Sequence, residues 1–205
     1  MATPPTSAPP LVDRVKRLLL EPKAEWARID EEPTTVGAIY RNWVLVLAAV
    51  SVLCGAIGLL LFGFNVLGYS YRPGLGDAVS IAIINYVATI LSVFVAALII
   101  DALAPTFGDT KNRVQATKVA AYAMTASWVA GIAGLFPPIA WIVGLAGAVY
   151  SVYLLYLGLP RLMKAPADKA VGYTAAVVVV AVVLALLAGL VAEAIMPIGG
   201  NRIAP

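Results

Sequence analysis

Histidine is absent from this 205-residue chain, and cysteine occurs once, as Cys54. Without histidine the chain lacks the commonest general base and metal ligand, and it can form no Ser-His or Cys-His nucleophile pair. A single cysteine excludes an intrachain disulfide. The sequence also contains no P-loop, G-x-S-x-G or H-E-x-x-H motif. It therefore predicts a protein that is not an enzyme and that binds no metal or cofactor.

Charged residues are also few. They make up 12% of the chain, against roughly 25% in soluble domains, whereas 61% of the residues are hydrophobic and the mean hydropathy is +0.92. Five apolar stretches are each about long enough to cross a hydrocarbon core ~30 Å thick, which takes ~20 helical residues. They lie at about 42–64, 78–103, 114–135, 139–159 and 172–196, and the third is the weakest by hydropathy. We predict an all-α, polytopic membrane protein with five transmembrane helices in a domain over residues 42–196.

The sequence before the first span has two parts. Residues 1–10 are rich in Pro, Ser, Thr and Ala, a composition typical of a disordered tail. Residues 11–41 are predicted to form a cytoplasmic amphipathic segment that begins with an interfacial helix, because apolar and charged residues occupy opposite faces of one helix. The apolar face has Leu11, Val12, Val15, Leu18 and Leu19, and the charged face has Asp13, Arg14, Lys16, Arg17 and Glu21.

Positive charge falls almost entirely on alternate sides of the predicted spans. Of the 14 Lys and Arg residues, all but Arg72 and Arg202 lie in the N-terminal region, in the second loop with the start of the third span, or in the fourth loop. Because cytoplasmic loops carry an excess of Lys and Arg, this pattern predicts a cytoplasmic N-terminus and a short external tail over residues 197–205. We expect a multi-pass protein of the inner (plasma) membrane.

Polar residues recur at helical spacing in the second and third spans. Asn85, Thr89 and Ser92 share one face of the second span. A comparable stripe on the third span is formed by Gln115, Lys118, Tyr122 and Thr125. Because polar groups in a membrane must face protein or water, we expect both stripes to face the bundle interior, where they either form structural hydrogen bonds or line a path for a solute.

Three further side chains are candidates for a functional role. Asp101 and Glu193 lie at the C-terminal ends of the second and fifth spans, where the helix dipole disfavours a negative charge. Asp101 either has a function or is an interfacial carboxylate paired with Lys111, Arg113 or Lys118. Tyr150 lies deep in the fourth span, and we expect its hydroxyl to have a hydrogen-bond partner inside the bundle.

Small residues at four-residue spacing indicate close helix packing. In lipid, helix association depends on packing rather than on hydrophobic contrast, so small residues allow backbones to approach. The spacing is compatible with packing inside one bundle and with contacts between two copies of the chain. Examples are Ser127 with Gly131, Ala140 with Gly144, and Ala181 with Ala185.

Four stretches, which are spread over most of the chain, resemble the bacterial branch of the Yip1 family. They read EPKAEWARIDEEPTTVGAIY, IIDALAPTFGDTKN, AYAMTASWVAGI and YSVYLLYLGLPRLMKAPADKAVGY. The resemblance implies five spans, a cytosolic N-terminus and an external C-terminus. It also points to Asp101, Pro105 and Gly108, and to Gly158-Leu159-Pro160, as features of the cytoplasmic face. Eukaryotic relatives act in vesicle trafficking and bind prenylated GTPases, but their D-L-Y-G-P motif is absent from residues 1–42.

These observations give two hypotheses for function. In the first, the protein organises membrane or recruits a partner through its cytoplasmic face. In the second, it is a small transporter or channel that uses the polar faces of the second and third spans. The partners expected are the lipid bilayer, a membrane or cytoplasmic protein, and a second copy of the chain, rather than nucleic acid.

Overall fold

The computed structural model describes the backbone of residues 10–66 and 69–195, and the side chains of residues 10–63 and 72–187. Of the two predicted tails, residues 1–9 and residues 197–205 lie outside this range. The first described element is a hairpin of two short helices, α1 (Leu11–Leu20) and α2 (Pro22–Glu31). Pro22 occupies the first position of α2, where a missing N–H costs no helical hydrogen bond. We call this hairpin the cap.

The first long helix is continuous over three parts: α3 (Val36–Ile39), a π-helical turn (Tyr40–Val44) and α4 (Leu45–Phe62). Thr35 begins it by accepting a hydrogen bond from the Ala38 N–H at 3.2 Å. A small antiparallel hairpin of β1 (Phe64–Val66) and β2 (Tyr69–Tyr71) follows. The second long helix, α5 (Leu75–Leu103), runs on into a 3₁₀ turn (Ala104–Phe107).

The second half of the chain has three segments. Two short helices, α6 (Arg113–Ala123) and α7 (Thr125–Ala130), lead into a 3₁₀ turn (Gly131–Leu135). The long helix α8 (Pro137–Leu162) follows, and a 3₁₀ turn (Ala167–Lys169) leads into α9 (Ala170–Ile195).

Four helices of the described chain are long and apolar enough to cross a membrane. They are Val36–Phe62, Leu75–Phe107, Pro137–Leu162 and Ala167–Leu187. They coincide with the first, second, fourth and fifth predicted spans, so the prediction of a helical, multi-pass membrane protein is confirmed at this level. The β1–β2 hairpin was not predicted.

The third predicted span is not a single helix, and in this respect the sequence prediction is wrong. The α-helix is interrupted at Met124, and it gives way to a 3₁₀ turn at Gly131. The reason is burial: every residue from Ala116 to Ala123 is buried inside the protein. A backbone surrounded by protein can leave helical geometry because neighbouring side chains complete its hydrogen bonds. At the break, the Ser127 N–H donates to the Ser151 hydroxyl of α8 at 3.1 Å.

The broken segment still runs from one end of the bundle to the other. It begins beside the cap, where the side-chain amide of Gln115 donates to Asp30 of α2 at 3.4 Å. It ends beside the last turn of α4, where the rings of Phe62 and Phe136 meet edge to face at 5.9 Å. Between these points it packs so closely on α4 that a Cβ at Gly134 would lie 2.9 Å from the Gly55 Cα atom.

This close approach gives a stability prediction. Gly134→Ala forces α4 and the Gly131–Leu135 turn apart, because a contact of 2.9 Å with backbone cannot be relieved by a side-chain rotation. We expect a loss of about 1–3 kcal/mol, the usual cost of overpacking, seen as a melting temperature lower by several degrees in detergent. Gly144→Ala is the matched control, since a Cβ there meets no atom within 4 Å. Equal melting temperatures for the two variants would contradict the close approach.

Candidate functional site

The cap packs on the bundle through the face of α1 that was predicted to enter lipid. Leu18 is fully buried, and Leu11, Val15 and Leu19 pack against the same core. Val12, which the sequence assigns to that face, is instead exposed. The apolar face of α1 is therefore covered by the protein's own helices rather than by the membrane.

The centre of the cap is a buried carboxylate surrounded by three arginines. Glu25 of α2 is 0% exposed. Its Oε2 atom accepts hydrogen bonds from Arg17 Nε at 2.9 Å and from Arg28 Nη1 at 3.1 Å, while Arg14 Nε lies 3.4 Å from Oε1. A buried charge is tolerated only when it is paired and hydrogen-bonded, so this cluster requires α1 and α2 to stay together.

Arg14 connects the cap to the bundle. It was predicted on the exposed face of α1 but is only 8% exposed, so that placement is wrong. Its guanidinium donates to the Tyr122 hydroxyl of α6 at 3.1 Å and to the Glu32 carboxylate. Burial by itself lowers the pKa of Arg14, but the contacts with Tyr122 and Glu32 outweigh it and raise the pKa above its ordinary value. Arg14 is therefore charged throughout the physiological pH range.

Lys118 of α6 anchors the second helix of the cap, α2, to the bundle. Its Nζ atom donates to the carbonyl oxygens of Ile29 and Glu32, each at 2.7 Å, and the side chain is 4% exposed. The last carbonyls of a helix have no partner within the helix, and the helix dipole favours a cation there. Lys118 thus caps the C-terminal end of α2, although it lies in a different part of the sequence. Its contacts are those of a structural residue and not of a solute path.

Two tyrosines predicted as candidates also hold the cap. The Tyr122 ring lies 4.8 Å from the Trp43 ring and 6.3 Å from the Trp26 ring of α2. The Tyr150 hydroxyl donates to the Leu19 carbonyl at 2.7 Å, in the last turn of α1. Tyr150 therefore has a hydrogen-bond partner, as expected, but the partner belongs to the cap and not to another span.

The cap is also fastened to the end of α8. Trp26 lies directly over Gly158, where an added Cβ would come within 2.8 Å of the indole ring. Asp30 contacts Lys164 at 2.5 Å and Arg161 at 3.6 Å, and it accepts a weak hydrogen bond from Gln115 at 3.4 Å. The stretch Gly158-Leu159-Pro160, noted for its resemblance, is thus part of the surface that receives the cap.

Asp101 is buried without the partner expected for it. The side chain is 9% exposed, and its Oδ1 atom has no hydrogen bond. Within the described residues, none of Lys111, Arg113 and Lys118 lies within 4.0 Å of its carboxylate, so the predicted pairing is wrong. Lys118 is engaged by α2 instead.

Pro105 and Gly108 shape the turn that follows Asp101. Pro105 stands at the start of the 3₁₀ turn, and Gly108 ends it with φ +88°, a left-handed conformation that favours glycine. Phe107 of this turn stacks on Tyr173 of α9 at 4.6 Å. The two residues therefore fix the connection between α5 and α6 against α9, and their structural role is evident.

The polar stripe of α5 does not meet the stripe of α6. Asn85 and Ser92 are exposed on the outer surface, and the hydroxyls of Thr89 and Ser92 donate to carbonyls of their own helix at 2.7 and 2.8 Å. The expectation that both stripes face the interior is wrong for α5. Glu193 belongs to α9 by its backbone, and its side chain lies outside the described residues.

Comparison with known proteins shows to which family the chain belongs. The Yip1 domain family model matches residues 16–189, a range that takes in most of the cap and nearly all of the long helices. The chain belongs to the Yip1 family. It is also similar to "Inner membrane protein YohC" of Escherichia coli K12, with 28% identity over 175 residues, 82% of this chain and 87% of YohC. YohC of Escherichia coli O6:H1 gives the same values, and no solved structure matches the chain.

Sequence reasoning about this Yip1-family protein missed Glu25 and Trp26 as anchors of the cap. The available signal was weak. Trp26 and Ile29 lie one turn apart in an otherwise charged segment, which indicates a buried face on α2. A carboxylate next to such a tryptophan, with Arg28 three residues further on, is a candidate for a buried ion pair.

The cluster around Glu25 gives a second prediction. Glu25→Gln removes the one negative charge shared by Arg14, Arg17 and Arg28, and breaking a buried pair costs about 3–5 kcal/mol. We expect the cap to detach while the long helices persist. Hydrogen exchange of the protein in nanodiscs should then show faster exchange across residues 11–31 and unchanged exchange in α5 and α8. Glu21→Gln, at an exposed site, is the control. Unchanged protection of the cap in Glu25→Gln would contradict this role.

Proposed function

We propose that this Yip1-family protein is a non-enzymatic, multi-pass protein of the inner membrane that organises membrane or recruits a partner through the cap. Its similarity to YohC, which is named as an inner membrane protein, supports the location. The positive-inside pattern of the loops supports placing the cap in the cytoplasm.

The observation that carries the proposal is the way in which the cap is held. Arg14 and Glu25 are buried in an ionic network, and the buried Lys118 donates to two carbonyls at the end of α2. Together with the Arg14–Tyr122 hydrogen bond, these contacts fix α1 and α2 on the bundle. Cations such as Lys16 and Lys23 remain exposed on the outer surface of the cap. A surface that is rigid before binding loses less conformational entropy when a partner docks, which favours recognition.

The proposal includes five membrane crossings. Residues 113–135 run from the cap to the opposite end of the bundle, beside Phe62, even though they do not form one helix. With this segment as a fifth crossing, every basic loop falls on the side of the cap. With four crossings, the loop that carries Lys164 and Lys169 would lie on the opposite side from the cap.

Cysteine labelling tests the number of crossings. In a Cys54→Ser background, Leu75→Cys and Phe136→Cys should react with a membrane-impermeant maleimide in intact cells. Lys16→Cys and Lys169→Cys should react only after the membrane is permeabilised. Labelling of Lys169→Cys in intact cells would indicate four crossings and would contradict the proposed topology.

Site-specific photo-cross-linking tests the role of the cap. Deleting residues 11–32 is unsuitable, because it would expose the buried amine of Lys118. A photo-reactive residue is therefore placed at Lys16 on the cap and, as a control, at Leu145, which is exposed on α8. We expect one protein partner to cross-link from Lys16 and not from Leu145. Cross-links to lipid alone from both positions would contradict recruitment by the cap.

Self-association is proposed through the exposed face of α5. Asn85 lies ten residues beyond the start of α5 at Leu75, about 15 Å along the helix, which is near the centre of a ~30 Å core. A polar amide exposed to lipid at that depth is unfavourable, and a second α5 helix could satisfy it. A photo-reactive residue at Ser92, on the same face, would then join two copies of the chain.

The alternative function, a small transporter or channel, has one supporting observation. Asp101 is a buried carboxylate without an ion-pair partner among the described residues. The other residues invoked for a path are engaged elsewhere: Lys118 and Tyr122 hold the cap, and Asn85 faces outward. We therefore favour recruitment or membrane organisation.

A further inference from the structure

A groove in two adjoining parts runs between α8 and α9 and reaches the cap at Lys23. Its apolar part has a volume of about 540 Å³ and lies between Val149, Val152 and Tyr153 of α8 and Ala175, Val178 and Val179 of α9. Its other part has a volume of about 310 Å³ and lies between Lys23 of α2, Arg161 of α8 and the chain around Ala167 and Ala170. Tyr156 lines both parts, so they adjoin along its side chain, and together we call them the α8–α9 groove.

The apolar part offers little to a polar ligand. Thr174 contributes a hydroxyl to its wall, but this hydroxyl donates to the Ala170 carbonyl of its own helix at 2.8 Å. Most of the remaining lining is aliphatic or aromatic, with the rings of Tyr153 and Tyr156 exposed along it. Such a surface suits a hydrocarbon chain.

The other end of the groove carries excess positive charge. Lys23 is exposed and has no carboxylate within ion-pair distance in the described part of the chain. Arg161 contacts Asp30 at 3.6 Å, but Asp30 is shared with Lys164, so one negative charge faces two cations. In the nearby 3₁₀ turn Asp168 is followed by Lys169, which leaves that turn neutral.

The length of the groove matches one leaflet of a membrane. From Val149 to Arg161 the helix advances twelve residues, about 18 Å. Half of a ~30 Å hydrocarbon core is ~15 Å, so the apolar part lies at the depth of acyl chains and the basic part at the depth of headgroups. The exposed Tyr156 lies at the boundary, where amphipathic rings are favoured.

We infer that the α8–α9 groove binds one anionic phospholipid. Its phosphate lies between Lys23 and Arg161, and one acyl chain lies along Tyr156, Val152 and Val149. The apolar continuation distinguishes this ligand from a free phosphate ion, and the unpaired positive charge distinguishes it from a lipid held by its chains alone. The inference needs α8 and α9 to cross the membrane and the cap to be seated on α8, but it does not need the cap to recruit a partner, so the two proposals can fail separately.

Native mass spectrometry of the full-length protein, released from detergent micelles, tests the inference. The probes are dioleoyl phosphatidylglycerol, which is anionic, and dioleoyl phosphatidylcholine, which has the same chains and a zwitterionic headgroup. We expect one phosphatidylglycerol to be retained per chain and phosphatidylcholine to be retained at least about fivefold less, because each basic residue near an anionic lipid contributes ~1 kcal/mol. Equal retention of the two lipids would overturn the inference.

Two pairs of variants assign the binding to the groove. Lys23→Gln should weaken phosphatidylglycerol binding about fivefold, whereas Lys16→Gln, which removes an equally exposed cation from α1, should leave it unchanged. Ala175→Trp fills the apolar part and should abolish retention, whereas Ala185→Trp, at another exposed position of α9, should not. Circular dichroism and size-exclusion chromatography check that all four variants are folded.

Three further results would overturn the inference. Equal effects of Lys23→Gln and Lys16→Gln would show diffuse attraction to the basic cap. Displacement of the lipid by inorganic phosphate, with no effect of Ala175→Trp, would show an anion site without an acyl-chain site. Retention of a second copy of the chain in place of lipid, lost in Ala175→Trp, would show a protein interface.

Discussion

The carboxylate of Glu25 constrains much of this protein. An ionised carboxylate without solvent exposure is very unfavourable unless cations and hydrogen bonds surround it, and here Arg14, Arg17 and Arg28 do so. Arg14 is then drawn inward, where its remaining N–H groups meet Tyr122 and Glu32. Through Tyr122 and Lys118 the network reaches α6. One charge in a short amphipathic helix thus fixes the position of two helices on a membrane bundle.

The bundle beneath the cap exposes many large apolar side chains, as expected for a protein whose solvent is lipid. The segment of residues 113–135 is the least hydropathic of the predicted spans and is also the most enclosed, with Ala116–Ala123 entirely buried. A break is tolerated there because the Ser151 hydroxyl accepts a hydrogen bond from the Ser127 N–H. Trp43 also donates to the Thr125 hydroxyl. Low hydropathy here accompanies an interior position in the bundle.

Most of the membrane-embedded polar residues have structural tasks, which narrows where function can lie. Lys118 donates to a carbonyl near the end of α2, and Tyr150 donates to a carbonyl in the last turn of α1. Tyr122 packs between two tryptophans. The features without such a task are the unpaired Asp101, the exposed Asn85, the outer face of the cap and the α8–α9 groove. All but Asn85 and the deeper part of the groove lie at the end of the bundle that carries the basic loops, a distribution that fits a protein acting at one membrane surface.

The likeness to the Yip1 family came from four stretches of the sequence. Composition and periodicity by themselves determined the class of the protein and four of its long helices. They did so because a crossing of hydrocarbon needs about 20 apolar residues, a requirement visible in any single segment. Only the tertiary structure decided that Arg14 turns inward, that Asn85 turns outward, and that Tyr150 and Lys118 serve the cap. Periodicity shows which residues share a face of a helix, but not what that face meets. Those contacts join residues as far apart as Leu19 and Tyr150, and they exist only once the helices are packed together.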